Sequence, residues 1–225
     1  TDRQILGQLG NLKVKIADNA QEIESAQRLR HRVFIADRGN NSKSTLNQKD
    51  EDRFDAFCDH LIVFEEAENL SDPTKVVATY RLMSQEQAQK AGGYYTASEF
   101  AVEKLSANLP DLKFLELGRS CVLPEYRTKR TIELLWHGSW AYVRKHGFDV
   151  MFGCASFEGT DPKRHCEALS FLYENACADE TWNVPGLGEV IDLAGLTSDN
   201  HNPKNAIRAL PPLIKGYLRL GAMFA

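Results

Sequence analysis

The sequence lacks a long apolar run, paired cysteines and an excess of positive charge, and each absence excludes a class of protein. No stretch approaches the roughly 18 to 20 apolar residues that a membrane-spanning helix needs. The opening segment, TDRQILGQLG, lacks the basic-then-apolar order of a signal peptide. We therefore expect a soluble, cytoplasmic protein.

The cysteines also argue against a fold held by disulfide bonds or by a metal ion. They are 5 in number, widely spaced, and include no Cys-x-x-Cys pair. This pattern favours free thiols over a disulfide framework or a zinc site, and we predict no metal site. The net charge of -4 argues against nucleic-acid binding, although it allows a local basic patch. With 225 residues, 43% of them hydrophobic, we predict a single domain spanning residues 1–225.

What is present is organised around residues 113–145, which predict a strand (KFLELGRSCV), a turn (LPEYRTKR) and a helix. On a regular strand Glu116 and Arg119 would face opposite sides of the sheet. Gly118 lies between them, and a glycine inside a strand often marks a bulge. A bulge inserts one residue, so it would bring the carboxylate and the guanidinium into one cleft.

The turn that follows places basic residues at the start of a helix, where the helix dipole disfavours them. Arg127, Lys129 and Arg130 crowd the helix start, where the helix dipole is already positive and disfavours cations. An anion would offset that repulsion, and free backbone N–H groups at helix starts bind phosphate. The turn therefore indicates a phosphate site. A solvated basic turn beside a structural ion pair is the alternative.

The remaining pattern predicts a mostly antiparallel α/β sheet with one parallel crossover. Strands are predicted at 12–17, 60–66, 75–83 and, as a buried run, 148–157, and the segment 182–209 as a strand plus a long loop. The 60–66 and 75–83 strands form a hairpin whose turn contains Asp72 and Pro73. Helices are predicted after the caps Asn19 and Asp161, up to Gly147, and from Pro212.

An acidic segment, DEDRFD at 50–55, precedes the hairpin. Within the 75–83 strand, Arg81 shares a face with Val77 and Thr79. An arginine on the inward face of a sheet needs a carboxylate partner, because an unpaired buried charge is costly. The candidate partners are Asp52, Asp55 and Glu116.

The order of elements resembles the GNAT acyltransferase fold, a mixed, mostly antiparallel sheet with a central bulged strand and flanking helices. The sequence blocks are more specific: RHRVF, DEDRFD, CDHLIVF, VVATYRLM, LELGRSCVLPEYR, MFGCASFEGTDP and PPLIKGYLRLGA. Together they resemble the ornithine-acyl carrier protein N-acyltransferase family from about Leu12 to Ala222. Acyl-homoserine-lactone synthases share the same series of Arg, Asp-x-x-Asp, Arg and Glu-x-x-Arg.

The resemblance implies roles for individual residues. Glu116 would act as the base-like residue, with Arg119 as its partner. The residues implied to bind substrate are Arg32, Phe34, Asp52, Asp55 and Arg81. Family members usually continue beyond GYLRLGA, so a truncated C-terminal end is one interpretation of this sequence.

The donor expected from the resemblance is an acyl group on the phosphopantetheine of acyl carrier protein, with no separate cofactor. The coenzyme A signature of other GNAT enzymes would fall on residues 127–132, where Arg130 and Ile132 occupy glycine positions. Their side chains would keep a pyrophosphate from the backbone, which favours a single-phosphate donor. We assign donor binding to Tyr126, Arg127, Lys129, Arg130 and Thr131.

Three aromatic residues, Trp136, Phe152 and Phe157, are candidates for an acyl pocket, with core packing as the alternative for each. The expected activity is transfer of a 3-hydroxyacyl group to the α-amine of ornithine, with peripheral membrane contact through the lipid product. Other interpretations are an acceptor such as glycine or glutamine, an acyl-homoserine-lactone synthase, or a non-catalytic acyl-carrier-binding protein.

Overall fold

A computed structural model describes residues 4–37, 48–65, 75–193 and 203–225. Its centre is a six-stranded sheet in the order β1-β2-β3-β4-β5-β6. The strands are β1 (Ile5–Leu9), β2 (Leu12–Ile16), β3 (Asp59–Glu65), β4 (Lys75–Ser84), β5 (Phe114–Val122) and β6 (Val150–Phe152). Neighbouring strands from β1 to β5 pair antiparallel, and β5 pairs parallel with β6. The predicted mixed α/β sheet with one parallel crossover is confirmed.

The helices are α1 (Ala20–Asp37), α2 (Gln85–Ala91), α3 (Glu103–Asn108), α4 (Lys129–His146), α5 (Cys166–Ala176), α6 (Pro203–Ala209) and α7 (Pro212–Arg219). The chain forms two compact units. Unit 1 comprises Thr1–Tyr95 and Asp111–Gly153, and unit 2 comprises Thr96–Pro110 and Cys154–Ala225. The single domain expected from the sequence stays a prediction. No helix in the described ranges is both long and apolar enough to cross a membrane.

The two long helices of unit 1 begin and end where local chemistry dictates. At the start of α1, the side-chain oxygen of Asn19 accepts a hydrogen bond from the Glu22 N–H at 3.0 Å. Thr128 caps α4 in the same way, and Gly147 ends α4 in the left-handed conformation with φ 68°. Such caps satisfy backbone groups that a helix leaves unpaired at its termini. The predicted start of α1 after Asn19 and the predicted end of α4 at Gly147 are confirmed.

The predicted bulge in β5 is present. Thr79 of β4 pairs with Cys121, but Arg81, two residues later, pairs with Gly118, so β5 holds one extra residue between them. The strained residue is Arg119, with φ 53°, while Gly118 keeps a negative φ. A non-glycine residue in the left-handed region costs of order 1 kcal/mol or more and persists where its surroundings hold it. The bulged strand is the fifth of six, next to the edge strand β6.

Three sequence predictions differ from the structure. β1 was not predicted, and it packs on α4 through Gly7, where an added Cβ would lie 2.5 Å from the His137 ring. The predicted buried strand 148–157 is reduced to Val150–Phe152, with Met151 exposed. At Gly153 the chain passes so close to the Leu117 carbonyl oxygen that an added Cβ would lie 2.3 Å from it.

The segment 182–209 forms no regular strand in its described part, and its end is helix α6, which begins at Pro203. Proline suits the first turn of a helix because the missing N–H has no partner there. The predicted hairpin turn at Asp72 and Pro73 lies outside the described residues, although the antiparallel pairing of β3 and β4 that it joins is confirmed.

Candidate active site

Six charged side chains of unit 1 form a closed ring in which arginine and aspartate alternate. In order around the ring they are Arg30, Asp50, Arg119, Asp52, Arg81 and Asp55. The distances between the nearest nitrogen and oxygen atoms of neighbours run from 2.7 to 3.5 Å. We call this cluster the Arg–Asp ring. It joins α1, the acidic segment 50–55, β4 and β5, and its formal charges cancel.

The ring has a buried side and a part-exposed side. Arg30, Asp55 and Arg81 are buried, with Arg30 at 0% exposure. The side chains of Asp50 and Asp52 keep about a quarter of their surface accessible, at 26% and 24%. The buried half fixes the geometry, and the outer half presents both signs of charge to solvent.

The acidic segment folds back on its own carboxylates. Asp52 accepts a hydrogen bond from the Phe54 N–H at 2.9 Å, and Asp55 accepts one from the Asp52 N–H at 2.8 Å. Arg30 also donates to the Asp50 carbonyl oxygen. Aspartate side chains favour such turns because they reach nearby backbone donors. The sequence DEDRFD therefore presents three carboxylates to the arginines.

The ring charges shift the pKa values of its outer members. Burial raises the pKa of Asp52, but the hydrogen bond and charge of Arg81, with the Phe54 N–H and Arg119, outweigh burial and hold that pKa below its ordinary value. For Arg119, burial lowers the pKa, but Asp50 and Asp52 outweigh it and the net shift is upward. Both side chains are therefore charged at neutral pH.

Glu116 lies on the same face of the sheet as Arg81. It pairs with Met83 of β4 and with Phe152 of β6, and it is 4% exposed. One carboxylate oxygen accepts a hydrogen bond from the Tyr95 N–H at 3.0 Å. The Arg119 guanidinium lies 5.0 Å from the centre of the Tyr95 ring. Glu116 and Arg119 therefore both contact Tyr95, and the bulge brings them to one face of the sheet, as the sequence predicted.

Tyr94 adds a buried phenol beside this carboxylate. It is 5% exposed, and its hydroxyl finds no hydrogen-bond partner among the residues that the structure describes. Burial, and then the charge of Glu116, raise the pKa of Tyr94. Its ring meets that of Phe152 edge-on at 4.9 Å. The Glu116 carboxylate thus lies in a largely apolar, aromatic environment near a free donor.

The basic turn is exposed at the start of α4. Arg127, Lys129 and Arg130 all face solvent. The N–H groups of Arg127 and Thr128 donate to carbonyl oxygens within the turn, at 3.2 and 2.7 Å. These amides are therefore used internally, and the turn offers cationic side chains for an anion to meet.

Two other residues assigned to donor binding are held by internal contacts. Thr131 is 0% exposed, and its hydroxyl lies 3.1 Å from that of Thr128. The Tyr126 hydroxyl accepts from Lys75 at 2.7 Å and donates to Glu65. A contact between the Thr131 side chain and a donor in solution does not fit its burial, because only exposed groups can be reached. Both residues shape the turn.

Of the two predicted substrate-binding residues on α1, the structure brings only Phe34 to the site. The Arg119 guanidinium lies 5.8 Å from the centre of the Phe34 ring. Arg32 is exposed and pairs with Glu125 at 3.1 Å. The arginine of α1 that enters the ring is Arg30. Two residues along a helix correspond to a rotation of about 200°, so Arg30 and Arg32 face opposite sides.

The three acyl-pocket candidates pack in different surroundings. Trp136 meets Tyr80 at 6.4 Å, and Tyr80 faces away from its neighbour Arg81, so Trp136 lies on the α4 face of the sheet. Core packing accounts for it. Phe152 lies beside Tyr94 and next to Glu116 in the sheet. In unit 2, Phe157 packs on the apolar cluster of α5.

Four residues of the site were not predicted from the sequence pattern: Arg30, Asp50, Tyr94 and Tyr95. A signal for Arg30 was available: it follows Ala26 by four residues and precedes Val33 by three, which places it on the apolar face of α1. A charged residue at a buried position needs a partner, and Arg30 has two, Asp50 and Asp55. The segment around the two tyrosines carried no periodic pattern.

The described residues contain no group of three or more His, Cys, Asp or Glu side chains arranged to hold a metal ion. Cys58, whose thiol is affected by the charges of Arg81 and Asp55, is half-buried, and burial raises its pKa to about 12. A thiol with such a pKa stays protonated at neutral pH and is a poor nucleophile.

The comparisons with known proteins first define a class. A family model described as an acetyltransferase (GNAT) domain matches residues 29–137, a range that contains the whole Arg–Asp ring and Glu116. The mixed sheet with its bulged fifth strand is thus a GNAT acyltransferase fold.

Curated relatives then define the family. The chain is 49% identical to a protein named L-ornithine N(alpha)-acyltransferase from Brucella abortus (strain 2308), over 99% of this chain and 80% of that protein. A protein of the same name from Rhizobium meliloti (strain 1021) is 48% identical, over 97% of this chain and 75% of its own length. One from Rhodobacter capsulatus is 34% identical, with coverages of 93% and 80%. The chain belongs to the L-ornithine N(alpha)-acyltransferase family.

Proposed function

We propose that this enzyme transfers a 3-hydroxyacyl group from acyl carrier protein to the α-amine of ornithine, forming lyso-ornithine lipid. The observation that carries the proposal is Glu116, a buried carboxylate beside a charge-balanced ring whose outer side is open to solvent. The names of the relatives favour ornithine over glycine, glutamine or a homoserine-lactone product.

The reaction forms a C–N bond and breaks a C–S bond. The acceptor amine attacks the thioester carbonyl as a neutral nucleophile, and its proton passes to Glu116, directly or through a water. The departing thiolate takes up a proton in turn, so that the proton lost by the amine ends on the thiol and Glu116 returns to its carboxylate form. Backbone N–H groups at the β5 bulge stabilise the oxyanion, because a bulge leaves strand donors outside the ladder.

Charge complementarity supports an amino acid with a basic side chain. The formal charges of the ring sum to zero, and Glu116 adds one more carboxyl group to the site. Ornithine has two ammonium groups and one carboxylate at neutral pH, a net charge of about one positive. We assign the side-chain ammonium group to Asp50 and Asp52 and the carboxylate to Arg119, the three part-exposed members of the ring, and leave the α-amine to face Glu116.

The basic turn supports acyl carrier protein as the donor. Its exposed Arg127, Lys129 and Arg130 suit an acidic protein and a single phosphate. A pyrophosphate needs close approach to backbone N–H groups, and here several donate within the turn. We also propose that the protein works in the cytoplasm and contacts the membrane peripherally, where an amphiphilic product would partition.

The test is a purified reaction analysed by mass spectrometry. A 3-hydroxyacyl group on acyl carrier protein is offered with ornithine, glycine, glutamine or S-adenosylmethionine, and we expect an N-acyl product with ornithine alone. The same group on coenzyme A should give a kcat/KM at least about tenfold lower, a difference of about 1.4 kcal/mol in transition-state binding. Equal use of coenzyme A would contradict the donor assignment. A preference for another acceptor would contradict the assignment of ornithine.

A further inference from the structure

The segment GGYY at 92–95 leaves helix α2 in a conformation that its two glycines make possible. Gly92 and Gly93 have φ values of 78° and 124°, and the Gly93 N–H donates to the Ala88 carbonyl oxygen at 2.8 Å. Residues with a Cβ rarely adopt these φ values, so the glycines allow the sharp turn that ends the helix. The turn brings the next two residues to Glu116. The Tyr95 N–H binds that carboxylate, whereas the Tyr94 side chain takes no part in the proposed chemistry.

The Tyr94 hydroxyl is a buried hydrogen-bonding group that the free protein does not use. The residue is 5% exposed, and the hydroxyl oxygen has no hydrogen-bond partner within the described ranges. Buried polar groups are nearly always paired, because an unpaired one has lost its water without compensation. Exceptions to such rules concentrate at functional sites. An unpaired phenol at this position therefore points to a partner that arrives with a substrate.

The surroundings of Tyr94 suit the first carbons of an acyl chain. The Phe152 ring meets the Tyr94 ring edge-on at 4.9 Å and the Phe114 ring at 6.3 Å. Phe152 is also the residue of β6 that pairs with Glu116. Tyr94 is thus next to the proposed base, and its hydroxyl is the polar group of an aromatic cluster. Apolar walls with a few placed polar groups are typical of small-molecule sites.

We propose that the Tyr94 hydroxyl hydrogen-bonds the 3-hydroxyl group of the donor acyl chain and so selects 3-hydroxyacyl over plain acyl donors. The inference rests on the proposed function and deepens it. The 3-hydroxyl lies two carbon atoms beyond the carbonyl that the amine attacks, and the amine faces Glu116. In an aromatic cluster each of the two hydroxyls lacks a partner until it meets the other. A plain acyl chain leaves Tyr94 unpaired.

Access to Tyr94 follows from access to Glu116. The two residues are buried to the same degree, at 5% and 4% exposure. The proposed reaction requires the thioester and the amine to reach Glu116, so the movement that admits them also reaches the neighbouring phenol. The Phe152 side chain, which is part-buried and touches Tyr94, is the group that we expect to move. Thr131 differs because its hydroxyl already lies 3.1 Å from that of Thr128.

Proton donation to the departing thiolate is the competing role for a phenol at this site. Burial, and then the charge of Glu116, raise the pKa of Tyr94 above its ordinary value of about 10. An ordinary thiol has a pKa of about 8.5, so it is the stronger acid, and transfer of the phenol proton to a thiolate is uphill. A phenol that keeps its proton remains able to donate a hydrogen bond. The surroundings therefore favour recognition over proton transfer.

The experiment compares two donors in the purified reaction with ornithine. A 3-hydroxyacyl group and the plain acyl group of the same chain length are each offered on acyl carrier protein, and kcat/KM is measured for both. We expect wild type to prefer the 3-hydroxyacyl donor at least about tenfold. In Tyr94→Phe this preference should shrink at least about tenfold, mainly through slower use of the 3-hydroxyacyl donor.

Tyr142→Phe is the matched control, because it also removes the hydroxyl of a buried tyrosine. Tyr142 lies on α4, is 4% exposed, and donates its hydroxyl to Asp59. The control should keep the donor preference within about twofold of wild type. Its melting temperature should fall by at least about 2 °C, because a buried hydrogen bond is lost. Tyr94→Phe should melt at or above the wild-type temperature, because it removes an unpaired group.

Three results would overturn the inference. Equal use of the two donors by wild type would show that the 3-hydroxyl is not recognised, while acyl transfer itself stands. An equal loss with both donors in Tyr94→Phe would assign the phenol to the chemical step. A melting temperature of Tyr94→Phe as low as that of Tyr142→Phe would show that the hydroxyl is already paired in the free protein. Wild type that transfers neither group overturns the proposed function as well.

Discussion

At the scale of single residues, Glu116 is the carboxylate whose removal should affect chemistry more than structure. Glu116→Gln keeps the size of the side chain and the acceptor oxygen for the Tyr95 N–H, but it removes the base. We expect the rate of acyl transfer to fall by about a hundredfold or more. Single-turnover kinetics with acyl carrier protein donor would measure it.

Glu103→Gln, an exposed change on α3, is the control and should keep full activity. A folded Glu116→Gln enzyme with the wild-type rate would remove Glu116 from the mechanism.

Arg30 and Arg32 provide a matched pair for the Arg–Asp ring. Arg30 is buried between two aspartates, whereas Arg32 makes one exposed ion pair with Glu125. Arg30→Met leaves buried carboxylates unpaired and should cost about 3 to 5 kcal/mol of unfolding free energy. Arg32→Met should cost about 1 kcal/mol or less. Urea unfolding of both variants measures these losses. Equal losses of unfolding free energy would contradict the role of Arg30 in the Arg–Asp ring.

His60 should make the stability pH-dependent. Its Nε2 donates to the Asp55 carbonyl at 3.1 Å, and its Nδ1 is buried without a partner in the described part of the chain. Burial lowers the pKa of His60, although Asp55 opposes that shift. The folded state therefore keeps His60 neutral, while the unfolded state takes up a proton below about pH 6.5.

The stability that this neutral imidazole maintains is present above about pH 6.5 and is lost as the pH falls toward the lowered pKa, by up to about 1.4 kcal/mol per unit. His60→Gln, which retains a donor, should flatten the loss of unfolding free energy between pH 7 and 5. Exposed His137→Gln should leave the slope as in wild type. Urea unfolding at several pH values measures how steeply the unfolding free energy depends on pH. If His60→Gln and wild type had the same slope, His60 would not be the origin of the pH dependence.

At the scale of elements, the packing of α4 on the sheet depends on a helical glycine. A Cβ at Gly138 would lie 2.5 Å from Val14, a stiff and fully buried side chain. Overpacking of this kind costs about 1 to 3 kcal/mol, more than the helix propensity that alanine adds. We therefore expect Gly138→Ala to lower the melting temperature.

Gly216 in α7 is the matched control, because nothing lies within 4 Å of its added Cβ. Gly216→Ala should raise the stability by up to about 1 kcal/mol, since alanine is the better helix former. Calorimetry of both variants separates the cost of overpacking from the gain in helix propensity. Equal stabilisation would mean that α4 does not pack closely on Val14.

At the scale of the whole molecule, local charge should dominate net charge in donor recognition. The chain has a net charge of -4 and would repel an acidic carrier at long range. The turn with Arg127, Lys129 and Arg130 opposes this repulsion at close range. We expect the triple variant R127E/K129E/R130E to raise KM for acyl carrier protein at least about tenfold, with a smaller loss of kcat.

The reversal K90E/K104E/R144E, at exposed positions elsewhere, is the control. Donor KM of the wild type should rise with salt, because exposed charges are screened beyond about 10 Å at 0.1 M. An unchanged KM in the triple variant at low salt would show that the turn is merely solvated.

The sequence by itself determined the features that short-range rules govern. Asn19 and Gly147 set helix ends because caps act within one turn, and the glycine in β5 indicated the bulge that brings Glu116 and Arg119 to one face. The quoted blocks were enough to identify the family, which the relatives confirm.

Tertiary structure alone decided which charges meet. Arg30 and Asp50 are 20 residues apart, and Arg119 is a further 69 away, so no local pattern fixes their pairing. Whether an arginine on α1 is solvated or buried depends on the helix rotation that packing against β4 selects. Burial makes these pairs obligatory, because a charge removed from water must find its opposite. The ring is therefore a product of the assembled fold.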